Sequence, residues 1–339
     1  MSLAGVPAGY RPLCLSEIAT DSDSRTIYIA TDDATMSAIA SAARFFDPDL
    51  RIIEFPAWDC LPYDRASPAI HTSADRLAAL AAIAAPHEGP LLVVTTVNAV
   101  TQRVLQPDRV RELVTRLEPG TIIEQEKLIS FLYANGFVRV DTVADSGEFA
   151  ARGGLIDLFP PGAELPLRID LFGDEIETLR QFDPNDQRTV GNIDGFDLLP
   201  VSEFLLDDAS ITRFRTRYRD LFGAVATGDP LYQSISEGRR LAGMEHWLPL
   251  LEDSLATIFD FFDEKTTILR DTASSAAIDA QFSGIADYYK NRIEADKANL
   301  SSYRPLAPES LYLTVDEWAS QQNDSPIHLL SEFDEPESE

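Results

Sequence analysis

Positive charge is scarce in this sequence. Lys and Arg number 28 against 56 Asp and Glu, a formal net charge of −28. A surface of that sign repels a phosphate backbone, which argues against non-specific nucleic-acid binding, since that depends on clustered cations. An anionic membrane surface is disfavoured for the same reason. Cysteine is nearly absent: Cys14 and Cys60 are the only 2, too few for a disulfide framework or a cysteine zinc site. The 4 histidines, His71, His87, His246 and His328, include no i, i+4 pair, so no metal centre is expected. No apolar run approaches the roughly 18 residues of a membrane-crossing helix. The opening Met1-Ser2-Leu3-Ala4 has neither the basic nor the apolar region of a secretion signal, and the cytoplasm is the expected compartment.

Nucleotide-binding and catalytic motifs are also missing. The phosphate-cradling loop G-x-x-x-x-G-K-[ST] occurs nowhere. The nearest stretch, Gly5-Val6-Pro7-Ala8-Gly9-Tyr10-Arg11-Pro12, has neither the Lys that pairs with the β/γ phosphates nor the hydroxyl that holds Mg²⁺. Pro7 and Pro12 remove backbone donors that such a cradle needs. No G-x-G-x-x-G follows a strand and no G-x-S-x-G elbow exists. Acidic pairs such as Asp174-Glu175 and Asp316-Glu317 read as solvated faces in so acidic a chain. No catalytic residue and no cofactor are expected.

What is present is enough apolar material for a core: 45% hydrophobic residues in a chain of 339, the length of two or three domains. Thr26–Ala30, Leu50–Phe55 and Leu91–Thr95 read as buried strands, with a helix capped at Asp32 or Asp33 and an Ala-rich helix from about Ser73 to Ala85 between them. That alternation predicts a parallel α/β sheet. Beyond about residue 115 the pattern changes. A helix at Glu124–Asn135 stops at Asn135-Gly136, and strand-like runs follow at Phe137–Val143, Gly147–Phe159, Leu167–Phe172 and Glu175–Phe182. Gly173-Asp174 fits a two-residue hairpin turn. After about 200 the pattern shifts again. Helices are expected at Ala209–Phe222 and Ser274–Ser301, and short strands at Ala256–Asp260, Thr266–Leu269, Leu311–Thr314 and Ile327–Leu330. The acidic stretch Glu332–Glu339 reads as a solvated end.

Two stretches stand out. Within Gly147–Arg188, the period of two on Leu167–Phe172 points Leu167, Ile169 and Leu171 one way and Arg168, Asp170 and Phe172 the other. One reading is a protein-binding patch, because Arg and aromatic residues anchor such surfaces. It expects Arg168 and Phe172 exposed side by side. Arg152, just before Gly153-Gly154, sits where a bend or bulge in the backbone is expected. The other is structural: Arg168 pairs with Asp170 or a cross-strand acid, and Phe172 covers the hairpin end. The second stretch, Phe55–Arg76, carries Trp58 and Tyr63 in a proline-interrupted segment, either packing under a long loop or forming a ligand or partner loop.

FPAWDCLPYDRASP, then SADRLAAL and VTTVNAVTQRVLQP, resembles the N-terminal region of the bacterial transcription-repair coupling factors. The resemblance continues through GEFAARGGLIDLFPPG, LPLRIDLFGDEIETLRQFD, LLPVSEF, GMEHWLPLLE and SLATIFDFF, in order and over nearly the whole chain. That region is similar to the damage-recognition protein UvrB, whose working phosphate loop is degenerate here. The resemblance implies an α/β fold class: a vestigial RecA-like, UvrB-like domain over 1–114, an inserted smaller α+β domain that binds UvrA over 115–200, and a further α/β segment over 201–339 ending in the acidic tail. It implies that Arg152, Arg168 and Phe172 contact UvrA. For whole family members it implies an ATP- and Mg-dependent DNA translocase that binds RNA polymerase, with a C-terminal domain masking the UvrA-binding surface. A chain without that domain is expected to keep the surface open. The rival readings are a UvrB-like ATPase and direct binding of damaged DNA.

Overall fold

The computed structural model describes residues 2–21, 25–223, 229–298, 303–324 and 327–332. Most of the acidic stretch Glu332–Glu339 and the end of the expected helix at Ser301 lie outside them. The chain is of the α/β class and divides into two compact units. The first contains residues 1–64, 82–107 and 254–339, and the second 65–81 and 108–253. Residues 201–253 therefore pack with the second unit rather than with the segment that follows them, as the tripartite reading 1–114, 115–200 and 201–339 had grouped them.

The first unit is built on a six-stranded parallel sheet. Its spatial order is Ser2–Leu3, Ile327–Leu330, Thr267–Asp271, Arg25–Ala30, Leu91–Thr96, Arg51–Phe55. Every residue of Leu91–Thr96 is buried. A parallel strand covered on both faces needs that unbroken apolar run. The helix Asp33–Phe46 covers one face and presents Met36, Ile39, Ala40 and Ala43 to a core shared with Tyr28, Leu92 and Leu269. Asp32 is its cap, accepting from the Thr35 N–H at 2.8 Å, a bond that holds the Asp32 carboxyl below its usual range.

The second unit holds a six-stranded, mainly antiparallel sheet. Its order is Thr189–Asn192, Glu175–Phe182, Leu167–Phe172, Leu155–Leu158, Glu148–Arg152, Val138–Arg139. The expected strand Gly147–Phe159 is two strands folded back at Gly153-Gly154. One face of this sheet packs Phe149, Ile156, Leu158, Ile169 and Leu179 against Leu128 and Leu132 of the helix Gln125–Ala134. Three expected strands shrink, Phe137–Val143 to the two residues Val138–Arg139. Ala256–Asp260 is a two-residue strand, Leu255–Ala256, followed by a 3-10 turn that the Thr257–Asp260 capping box closes. Leu311–Thr314 follows a 3-10 turn and keeps a single bridge, Gln102 to Tyr312. In the last two, local side-chain and turn bonds outcompete a ladder that has only one short neighbour. The helix that starts at Ser274 runs to Lys297.

One ion pair is fully inside the second unit. Arg76, on the helix Ile70–Ala84, donates from Nε to Glu203 Oε2 at 2.8 Å, with side-chain exposures of 0% and 2%. Two charges so far from water survive only together, because removing one leaves the other desolvated. Arg76→Met is expected to lower the unfolding free energy by about 3–5 kcal/mol. The double change Arg76→Met with Glu203→Met should recover most of that loss. Urea unfolding of the two variants against the parent checks both values.

Candidate protein-binding site

In an antiparallel pair, residues directly opposite each other project to the same face, so register decides which side chains can act together. In the second unit the partners are Arg168 opposite Asp157 and Arg180, and Ala150 opposite Asp157. One rung further along, Leu155 is opposite both Arg152 and Asp170, and Asp170 is opposite Thr178. At the hairpin end, Phe172 is opposite Glu175, and Glu175 forms an isolated bridge with Ile122. A register shift after Asp170 places the irregularity on the neighbouring strand, where Glu177 is skipped, so the alternation of Arg168, Asp170 and Phe172 is kept. Arg152, Arg168 and Phe172 therefore share one face of one sheet, opposite the face that packs the core.

Both hairpins that shape this end have glycine at the first turn position, Gly153 at φ 58° and Gly173 at φ 65°, as a type II′ turn demands. They touch: the Leu171 N–H donates to Gly154 O at 2.8 Å. A Cβ on Gly154 would sit 2.8 Å from the Leu171 carbonyl oxygen, so glycine is what allows the strands this close. Gln125 Nε2 then ties Gly153 O to the start of the helix Gln125–Ala134 at 2.6 Å.

The three residues differ in freedom. Phe172 is 78% exposed and does not cover the hairpin. Arg152 is exposed, and its guanidinium donates to Asp141 O. Arg168 departs from the exposed, side-by-side arrangement with Phe172. Its side chain is only 19% exposed, and it donates to Asp157 from Nε at 2.7 Å and from Nη2 at 2.8 Å. Its guanidinium also lies 4.7 Å over the Phe182 ring. The structural reading of Arg168 is thus correct about its geometry, with Asp157 as the cross-strand acid. Arg180 belongs to the same face, where it pairs with Asp170, which also accepts from Thr178 Oγ1 at 2.6 Å. The face carries two interlocked acid–base pairs at its centre and exposed Arg152, Phe172 and Ile122 at its end.

The other stretch divides between packing and surface. Tyr63 is a packing residue: it is 1% exposed, and its hydroxyl donates to Leu306 O at 3.1 Å. Burial pushes that hydroxyl far above its usual pKa. Trp58 lines a cavity of about 430 Å³ in the first unit, with Cys60, Leu61, Gln102, Tyr288 and Tyr312. At the carboxyl end of the parallel sheet, Arg11, the first residue of the helix Arg11–Asp21 that follows the glycine-containing segment, is buried. It donates to Asp271 Oδ2 at 3.1 Å and to the Tyr28 hydroxyl at 3.4 Å. Among the described residues there is no cluster of His, Cys, Asp and Glu able to hold a metal ion. No described helix is long and apolar enough to cross a membrane.

Sequence reasoning missed Ile122, Leu155 and Asp157. Alternation within Leu155–Leu158 could have assigned Leu155 and Asp157 to one side. Nothing local could have placed Ile122 in one row with Glu175 and Phe172. Removing the carboxylate that pins Arg168 is expected to cost stability: Asp157→Asn should lower the unfolding free energy by about 1–2 kcal/mol, since charged hydrogen bonds of this partly buried kind exceed neutral ones. Urea titration measures it.

The UvrB interaction domain family matches residues 115–204, the segment that contains this sheet. The transcription-repair-coupling factor of Haemophilus influenzae is 34% identical over 93% of this chain and 27% of its own length. That of Escherichia coli is 33% identical over 84% of this chain and 24% of its own length. The chain thus spans about a quarter of these relatives. The relative from Myxococcus xanthus is 34% identical over 69% of this chain. Similarity across both units, with an interaction domain seated on the sheet that carries the exposed face, makes this chain a region of the transcription-repair-coupling factor family.

Proposed function

We propose that the face carrying Arg152, Arg168 and Phe172 docks UvrA. Through it the chain brings excision repair, in the cytoplasm, to RNA polymerase stalled at a lesion. One observation carries this reading. Three residues that the resemblance assigns to UvrA come from two strands, Arg152 from one and Arg168 and Phe172 from the other, and fall on one face of the sheet within the matched interaction domain. Phe172, a large ring left in water, is the apolar anchor. Arg152 offers a guanidinium whose fork fits a carboxylate. Arg168 is already held by Asp157 and the Phe182 ring, so docking costs it little rotamer freedom.

We infer also that the first unit works without ATP. The loop at Gly5–Pro12 has no lysine or terminal hydroxyl for a nucleotide's phosphates and Mg²⁺. Its one cation, Arg11, is committed to Asp271 and Tyr28 at the carboxyl end of the sheet, where α/β proteins bind their ligands.

Two tests follow. Phe172→Ala and Arg168→Ala should each weaken UvrA binding by about thirtyfold, the loss expected for an interface anchor. Phe172→Ala should melt like the parent, being an exposed change. Arg180 faces Arg168 directly and is no control. Arg111, on the helix Pro107–Glu112, is the suitable one, and Arg111→Ala should bind UvrA as the parent does. Surface plasmon resonance with purified UvrA reads the affinities, and unchanged binding by both variants refutes the assignment of this face. Separately, isothermal calorimetry with Mg·ATP should record no heat of binding, and a micromolar affinity would overturn the ATP-independent reading.

A further inference from the structure

Ile122 is 71% exposed, an apolar side chain left in water on the same face as another, Phe172, with Glu175 between them. Its position is set by tertiary pairing. The Gly120 N–H donates to Ile176 O at 2.8 Å, the Ile176 N–H to Thr121 O at 2.9 Å, and the Ile123 N–H to Asp174 O at 2.6 Å. These bonds lay residues 120–123 alongside the start of the strand Glu175–Phe182, as an added short strand. Alternation then turns Ile123 inward, where it packs on the core of the second unit, and Ile122 outward.

Ile122 bridges Glu175, and Glu175 is opposite Phe172, so the three side chains stand in one row on one face. The next rung holds Leu155, 38% exposed, opposite Arg152. Exposed apolar side chains on one face, flanking a carboxylate and held on clamped backbone, have the anatomy of a binding surface with a placed charge.

We propose that Ile122 is a second apolar anchor for UvrA. The row Phe172–Ile122, with Leu155 behind it, would seat an apolar ridge of UvrA flanked by a carboxylate that reaches Arg152. This deepens, and rests on, the reading of the Arg152, Arg168 and Phe172 face as the UvrA dock. It adds a residue from outside the two strands that the resemblance pointed to. The surface is continuous with that face, and the single negative charge within the row, Glu175, places the partner's carboxylate on the Arg152 side.

The test compares Ile122→Ser, Ile122→Leu and Phe172→Ala in the 339-residue chain for affinity to purified UvrA and for melting temperature. Ile122→Ser should lose about tenfold or more in affinity. Its melting point should be unchanged, and Ile122→Leu, which keeps the apolar bulk, should bind nearly as the parent does. If Phe172→Ala weakens binding while Ile122→Ser binds within twofold of the parent, the added anchor is wrong and the dock stands. If neither change weakens binding, the dock itself is wrong and the added anchor falls with it. Should Ile122→Ser melt early, the parent protein still decides. With isoleucine methyl labelling, the Ile122 resonance should shift or broaden when UvrA is added, and an unmoved resonance under saturating UvrA overturns the proposal.

Discussion

Opposite residues on paired antiparallel strands must share a face, and the second unit depends on that constraint more than on any single contact. Register alone brings Arg152, Leu155, Asp157, Arg168, Asp170, Phe172, Glu175 and Arg180 to one side of the sheet. The other side is committed to Phe149, Ile156, Ile169 and Leu179 in the core. A slip of one residue would bury the charges and expose the core, so the apolar face enforces the register of the polar one. The two glycine turns hold that register at the open end, with Gly154 letting the hairpins meet where a Cβ would collide with Leu171 O.

The scarcity of cations acquires a structural meaning beside this. Several arginines are committed inside the protein: Arg11 to Asp271, Arg76 to Glu203, Arg168 to Asp157 and Arg180 to Asp170. Arg217 donates to Pro249 O at 3.0 Å and also to Glu252 O, satisfying carbonyls at the end of the helix Leu248–Leu251. Arginine suits these places because its charge is permanent and its fork reaches two acceptors at once. An acidic chain that spends arginines in this way has fewer to display to a phosphate backbone.

The parallel sheet of the first unit was legible because its strands are buried on both faces and its helices carry a plain apolar stripe. LLVVT and the Met36, Ile39, Ala43 spacing announce themselves. The strands that shrank, at Ala256–Asp260 and Leu311–Thr314, had the composition of strands without long neighbours to pair with. Pairing is a tertiary property, and a capping box or a 3-10 turn takes the segment when the ladder is short.

At the candidate site the division is similar. Strand parity placed Arg168 and Phe172 on one side, the glycine pair after Arg152 marked the fold-back, and the long shared motifs identified the family. Those follow from periods of two, from turn chemistry and from residue identity, all local to the chain. That Arg168 is pinned by Asp157 while Phe172 stands in water was decided by the third dimension. So was the arrival of Ile122 in the row of Phe172, across Glu175 and 50 residues away in the numbering, through hydrogen bonds between backbones. A sequence states which face a side chain takes along its own strand, but only the packed structure states which other strands lie beside it, because register is chosen by the burial of the opposite face.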